Sequence, residues 1–316
     1  MRLFFAALLF FFIGNANSQE YPAREIRSIC NFSAGSGADI IVRYYSDRLS
    51  RLAGKPVIVD NKPGAQGLLA TDFLAKSKPD GYTLLITPAS STLAIAPHMF
   101  KKLPFDPVKD FAPVTTLLTL SFVLAVSPDG PHRTFADLVA NLKAKPGNGF
   151  YGTQSNSGQV SAELFKDKLG LQTTYVPFKA TGDAFANLLG GAIDFMSVDS
   201  TWAATMHPTR VRILAVTSAR RNSSLPEVPT LQELGLGEID VTPWWGVVVP
   251  GGTPPAIVAL LAGWFNQINS DADTKQFLAR QASDPFPGSP ESMAALIKTD
   301  IERWGRYVKL AKIEPQ

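Results

Sequence analysis

The chain has 316 residues, 45% hydrophobic and 18% charged, and its 30 basic and 27 acidic side chains give a formal charge of +3. That length suits about two domains, and the composition is too apolar for disorder. So small a basic excess disfavours nucleic acid as a partner, one cysteine excludes an internal disulfide or a multi-cysteine zinc site, and three histidines leave little for metal or triad chemistry.

Met1-Arg2 precedes an unbroken apolar run from Leu3 to Ile13. Gly14-Asn15 breaks it, and Ala16 and Ser18 supply the small residues of a cleavage site before Gln19. This is the pattern of a cleaved secretory leader over residues 1–18. As a helix the run rises ~16 Å, about half the ~30 Å hydrocarbon core, which argues against a membrane anchor. No cysteine follows it for lipid attachment. A soluble, extracytoplasmic protein is expected. Cys30, in the apolar stretch Ile26 to Phe32, reads as a buried strand thiol.

Beyond the leader, strands alternate with helices. Arg27 to Phe32 is a short strand that runs into Ser33-Ala34-Gly35-Ser36-Gly37. Ile41, Tyr45, Leu49 and Leu52 then fall at helical spacing, and Lys55-Pro56 ends that helix. Val57 to Val59 is the second strand, Leu68 to Ala75 the second helix and Tyr82 to Thr87 the third strand. This β-α-β-α-β order implies a parallel, doubly wound sheet. The middle of the chain repeats it. Phe122 to Ser127 is a strand, Thr134 caps a helix over Phe135 to Ala144, and Phe150-Tyr151-Gly152 leads into a second loop of small polar residues, Thr153 to Gly158. A helix over Val160 to Leu169 follows. Thr174 to Phe178, Ile193 to Val198 and Val211 to Val216 read as strands, with a helix from Asp183 to Leu189 between the first two. Trp244 to Val249 is again apolar, and two amphipathic helices follow, Ala256 to Asn269 and Ser292 to Leu310.

The two loops of small residues are the places where chemistry is expected. A strand that ends in Gly and Ser and opens a helix presents unpaired N–H groups and the positive end of a helix dipole, which suit an anion. Gly35 and Gly37 permit close approach, and Ser33, Ser36, Ser155, Asn156 and Ser157 add short donors. The alternative for each loop is a turn with local capping only.

At these residues the chain resembles the Bug family of solute-binding proteins, the receptors of tripartite tricarboxylate transporters. The resemblance begins at Tyr21-Pro22 and covers Phe32-Ser33-Ala34-Gly35-Ser36-Gly37-Ala38-Asp39, Pro63-Gly64-Ala65, Pro79 to Leu85 and Lys102 to Pro113. It continues through Val176 to Lys179, Leu188 to Phe195 and Pro226 to Thr230. It implies an α/β, two-domain periplasmic-binding-protein architecture, a type II-like Venus flytrap with mixed, mainly parallel sheets. Residues 19–123 and 248–316 would form domain 1 and residues 124–247 domain 2. It further implies no catalysis, no cofactor and no metal, a small carboxylate as ligand, membrane permease subunits as partners, a periplasmic location and a monomer.

Carried over residue by residue, the first ligand loop is Phe32, Ser33, Ala34, Gly35, Ser36, Gly37, Ala38 and Asp39, and the second is Thr153, Gln154, Ser155, Asn156, Ser157, Gly158 and Gln159. Ser90, Lys179, Ala180 and Asp199 are placed at the same sheet edges. The chain departs from the family pattern where Ser157-Gly158-Gln159-Val160-Ser161 carries no histidine, and where Asn31-Phe32-Ser33 stands for a Val-Pro-Phe. Some side chains keep two readings. Asp39 and Asp199 cap helices or meet a ligand amine or hydroxyl; Lys179 neutralises an anion or is a surface lysine; Trp202, Trp244 and Trp245 line an apolar cleft or pack the core. A side chain added at Gly37 or Gly158 is expected to weaken binding without unfolding the protein.

Two other functions fit parts of the pattern. Gly35-Ser36-Gly37 with Asp60 suggests a dinucleotide-binding oxidoreductase, but Ile40 stands where the third glycine of that fingerprint belongs. A carboxylate sensor for a signalling partner needs the same cleft as a transport receptor. No Gly-x-Ser-x-Gly elbow of a serine hydrolase occurs.

Overall fold

A computed structural model describes residues 21–178, 180–237 and 239–315. The leader expected at 1–18 and Lys179 lie outside them.

The first unit runs β1 (Ile26–Cys30), α1 (Gly37–Ala53), β2 (Val57–Asn61), α2 (Leu68–Ala75), β3 (Thr83–Thr87), α3 (Ala96–Met99) and β4 (Phe111–Leu120). A single residue, Ser121, separates β4 from β5 (Phe122–Val126). The second unit continues with α4 (Phe135–Ala144), β6 (Gly149–Thr153), α5 (Asn156–Leu169), β7 (Thr173–Pro177), α6 (Thr181–Leu189), β8 (Phe195–Asp199), α7 (Ser200–Met206) and β9 (Arg212–Val216). The chain closes with β10 (Trp244–Pro250), α8 (Pro255–Ser270), α9 (Ala272–Arg280), β11 (Ser283–Pro285) and α10 (Pro290–Leu310).

The strands form a six-stranded sheet, β11-β4-β10-β3-β1-β2, and a five-stranded sheet, β7-β6-β8-β5-β9. β1 pairs in parallel with β2 and β3, and β6 pairs in parallel with β7 and β8. In the six-stranded sheet β10 and β4 each run antiparallel to both their neighbours, and in the five-stranded sheet β5 does so between β8 and β9. The α/β architecture of two mixed sheets expected from the sequence is therefore what the chain adopts. Pairing of Trp244 with Thr119 and of Trp245 with Leu118 puts the whole of β10 in the six-stranded sheet, and Phe122 already pairs with Asp199 in the other. On that pairing we propose that the two units divide at Ser121 and just before Trp244, rather than at 123/124 and 247/248.

Segments that the periodicity leaves unassigned have identifiable causes. β4 mixes Pro113 and four polar or small positions with apolar ones, and of its polar side chains Thr115 is satisfied inside, its Oγ1 donating to the Gly288 carbonyl at 2.9 Å. α9 buries only Thr274, Phe277 and Leu278. α5 begins at Asn156 rather than Val160 because Ser155 caps it, its Oγ accepting the Gly158 N–H at 3.1 Å.

The cores of the two units are joined by α10. Its first half buries Met293 and Ile297 against Ile29, Leu85 and Trp244 of the six-stranded sheet. Its second half places Trp304 and Val308 with Leu124, Val126, Tyr151 and Phe165 of the five-stranded one. Asp300 sits between them, 1% exposed, accepting the Trp244 indole N–H at 2.6 Å and Arg303 at 2.9 Å. Trp304 is fully buried, so Trp304→Ala is expected to cost about 3–5 kcal/mol in urea unfolding. A loss under about 1 kcal/mol would show that the second half of α10 is not part of that core.

Candidate functional site

The first loop lies at the carboxyl edge of β1. Ser33, Ala34, Gly35 and Gly37 are exposed, and Gly35 takes φ +79°, a conformation that favours glycine. Ser36 caps α1, its Oγ accepting the Asp39 N–H at 3.2 Å. The N–H groups of Gly37 and Ala38 have no partner among the described residues. Asp39 is 1% exposed and fixes the loop from beneath. Its Oδ2 accepts the Gly35 N–H at 2.8 Å and Arg43 Nε at 2.7 Å, and its Oδ1 accepts Asn61 Nδ2 at 2.8 Å. Asn61 Nδ2 also reaches the Phe32 carbonyl at 2.9 Å. Burial opposes ionisation of Asp39, but the Arg43, Asn61 and Gly35 donors outweigh it and hold the carboxyl below its ordinary range. Its oxygens thus serve the loop.

The second loop is shorter and more enclosed. Asn156, Ser157 and Gly158 are buried, Gln154 is exposed and Gln159 is half-buried on α5. The N–H groups of Asn156 and Ser157 lack partners among the described residues, as do those of Thr181 and Gly182 at the start of α6. Exposed Ala180 immediately precedes α6 and accepts the Asp183 N–H. Between these helix ends is a small recess lined by Thr153, Ser155, Thr181, Ser197 and Asp199, with Phe122 on one side, and it holds about one water. Ser197 is fully buried and its Oγ has no hydrogen-bond partner among the described residues. Asp199 caps α7 by accepting the Trp202 N–H at 2.9 Å and also accepts the Thr201 hydroxyl.

One apolar cluster links the loops. Phe32 stacks on Trp245, ring centroids 5.6 Å apart, and Phe122, which lines the recess, belongs to the cluster that contains Trp245. Other sequence candidates make contacts within the protein. Ser90 is buried, and its Oγ accepts the Trp244 N–H at 3.2 Å. Trp244 and Trp245 are core residues, and Trp202 packs edge-on against Phe185. Gly158 does not fit the expectation that a side chain is tolerated there. A Cβ would stand 2.9 Å from the Ser197 carbonyl and 3.0 Å from Phe122, and closer still to Thr153 Oγ1. A Cβ at Gly37 would meet nothing within 4 Å. Sequence reasoning placed Thr181 with Ala180 at this sheet edge but passed over Ser197 and Phe122; the one signal for Ser197 is a polar residue inside the apolar run Phe195 to Val198.

Two mixed sheets, each offering unpaired helix N-termini and short hydroxyls at the carboxyl ends of its parallel strands, define a two-domain α/β binding protein. The tripartite tricarboxylate transporter family receptor, TctC, matches residues 41–313, and the chain belongs to that family. Protein BugT of Bordetella pertussis is 32% identical over 297 residues, covering 93% of this chain and 91% of BugT. Among solved structures, R. palustris Rpa4515 with adipate superposes with a TM-score of 0.88 at 29% identity, over 94% of this chain and all of that one. MatC from Rhodopseudomonas palustris with bound malate superposes with a TM-score of 0.82 at 27% identity, over 91% of this chain and 100% of MatC.

The two glycines are expected to separate. Gly158→Ala should lose about 1–3 kcal/mol of stability in chemical denaturation, whereas Gly37→Ala should stay within about 0.5 kcal/mol of wild type. Equal losses would contradict the packing at Gly158. For Asp39 the pH dependence has a definite sign. Its carboxyl is held below the unfolded value, so the stability it supplies is present at neutral pH and is lost as pH falls through and below its ordinary 3.8. The gap in melting temperature between wild type and Asp39→Asn should therefore narrow on acidification. A gap that is the same at about pH 7 and about pH 3 would show that the ionised carboxyl does not hold the loop.

Proposed function

We propose that this chain is a periplasmic receptor that captures a small carboxylate between its two loops and delivers it to membrane permease subunits of a tripartite tricarboxylate-type transporter. The observation that carries the reading is the recess of the second unit. Among the described residues, the first N–H groups of α5 and α6 around it have no partner, and neither has the fully buried Ser197 hydroxyl that lines it. Such a site is completed by an anion with more than one acceptor oxygen. Phe32 to Ala38 would meet the same ligand from the first unit with the free N–H groups of Gly37 and Ala38. Of the remaining candidates, Thr153, Ser155, Asn156 and Ser157 would touch the ligand, while Asp39, Gly158, Ser90 and Asp199 would shape the loops around it.

Relatives of the same family and shape support this class of ligand, since their solved structures hold adipate and malate, both dicarboxylates. The leader pattern over residues 1–18 and the receptor family support the periplasmic location, and no helix among the described residues is long and apolar enough to cross a membrane. Binding does the work here, with no bond made or broken. Closure on the ligand can be driven only by its differential affinity for the closed form.

A thermal-shift screen of the mature protein tests the reading with adipate, malate, succinate, citrate, acidic amino acids and benzoate, with NAD as control. A ligand at 100 times its Kd adds ~2.7 kcal/mol of stability, a readily measured rise in melting temperature. The expected result is a rise with one class of carboxylate and none with NAD. A rise with NAD alone, or none with any carboxylate at saturating concentration, would overturn it.

A further inference from the structure

Asn31 follows β1 directly and is 7% exposed. Its Oδ1 accepts Thr87 Oγ1 at 3.2 Å, and Thr87 Oγ1 lies 3.2 Å from Thr92 Oγ1. Both threonines are buried, one closing β3 and the other in the π-helical turn Ser90–Ile95. Thr87 Oγ1 donates to that oxygen, Thr92 Oγ1 donates to the Pro88 carbonyl at 3.3 Å, and Nδ2 is left on the far side of the amide. Nδ2 has no hydrogen-bond partner among the described residues, although it carries two N–H bonds and the residue is nine-tenths buried. The opposite wall is Gly67, at φ +93°, where a Cβ would stand 2.9 Å from both Asn31 Nδ2 and Thr92 Cγ2. The backbone from Gly64 through Ala65 and Gln66 to Gly67 is left-handed at every residue, with φ of 128°, 45°, 53° and 93°. That conformation brings the segment against the amide with no side chain between.

The position is functional ground. β1, β2 and β3 end together, with Cys30 in register with Asn61 and Ile86, and open α/β sheets bind ligands outside the carboxyl ends of such strands. The first ligand loop begins one residue after Asn31. Nδ2 is not sealed from solvent, so an acceptor oxygen of a ligand can reach it at that edge.

We infer that Asn31 is a specificity-determining residue, whose Nδ2 donates to an oxygen at the end of the ligand remote from the Ser197 recess. It selects ligands with acceptor oxygens at both ends, dicarboxylates above all, over monoacids with an apolar tail. The inference rests on the carboxylate reading above.

Isothermal titration of the mature protein tests it with two matched pairs: adipate against hexanoate, and succinate against butyrate. In each pair one carboxylate is replaced by a methyl group. Wild type should prefer the diacid. Asn31→Asp keeps the size and the acceptor for Thr87 but replaces the donor with an anionic oxygen. It should weaken the diacid about 10- to 100-fold and the monoacid less than about 3-fold. Thr87→Val leaves the amide but removes its orienting hydroxyl; it should shift selectivity the same way by a smaller factor, and it carries the test if Asn31→Asp does not fold. Equal losses for diacid and monoacid, no loss for either, or a wild type indifferent between them would overturn the role of Asn31 alone. A wild type that binds none of the four would overturn the role of Asn31, and the wider carboxylate screen above decides whether the carboxylate reading falls with it.

Discussion

Three parallel strands of this protein, β1, β6 and β7, deliver the chain into helices whose first N–H groups have no partner among the described residues, and the site follows from that constraint. At α1 and α5 a serine side chain satisfies the third N–H and leaves the first two bare. Bare donors at a helix start favour an anion, and they do so without any cationic side chain. This explains why loops suited to an anion are built of Gly, Ala, Ser and Asn. Arg43, although half-exposed, is engaged by Asp39 at 2.7 Å and so stabilises the loop.

The two loops reach this common state by different means. The first is exposed and is held from below by polar contacts, with Asp39 and Asn61 together gripping the Gly35 N–H and the Phe32 carbonyl. The second is held by close approach. Gly158 lets the first turn of α5 lie directly on the Ser197 carbonyl and Phe122, so the helix end points into the recess over β8. A charged network shapes one loop and a missing side chain shapes the other. Their sensitivities differ accordingly, the first to pH and the second to volume.

How much of this could be read from the amino acids depends on whether the physics is local. α2 and α4 appear at their expected bounds because the helical period, the Thr134 cap and the bounding Lys-Pro and Pro-Gly turns all act within a few residues. The loops are legible for the same reason, since Gly and Ser between a strand and a helix are a local signal. β4 and β11 are not, because what holds them lies far away in the chain: β11 is placed by its pairing with β4, and Thr115 by Gly288. The roles of Gly158, Ser197 and Asn31 are equally non-local. A glycine needed for packing and a glycine needed for ligand approach look identical in sequence, and only the 2.9 Å from a Cβ to the Ser197 carbonyl separates them.

α10 sets the terms on which the two units can move. If only the strand crossings joined them, rotation would be limited by Ser121 and the segment before Trp244, where Leu120 N–H meets the Pro243 carbonyl at 3.0 Å. But Trp304 and Val308 sit in the core of the five-stranded unit, while Met293 and Ile297 of the same helix sit in that of the six-stranded unit. Swinging the second unit off the helix would expose Trp304, and returning a large buried side chain to water costs about 1.5–3 kcal/mol before any cavity is counted. Movement that keeps Trp304 buried must pivot close to Asp300, where the Trp244 indole and Arg303 both end on one carboxylate. Trp244 opens β10, the strand that follows the second crossing, so the helix and the crossing are tied at the same point. The crossing strands, the helix and the Asp300 contact thus meet at one place.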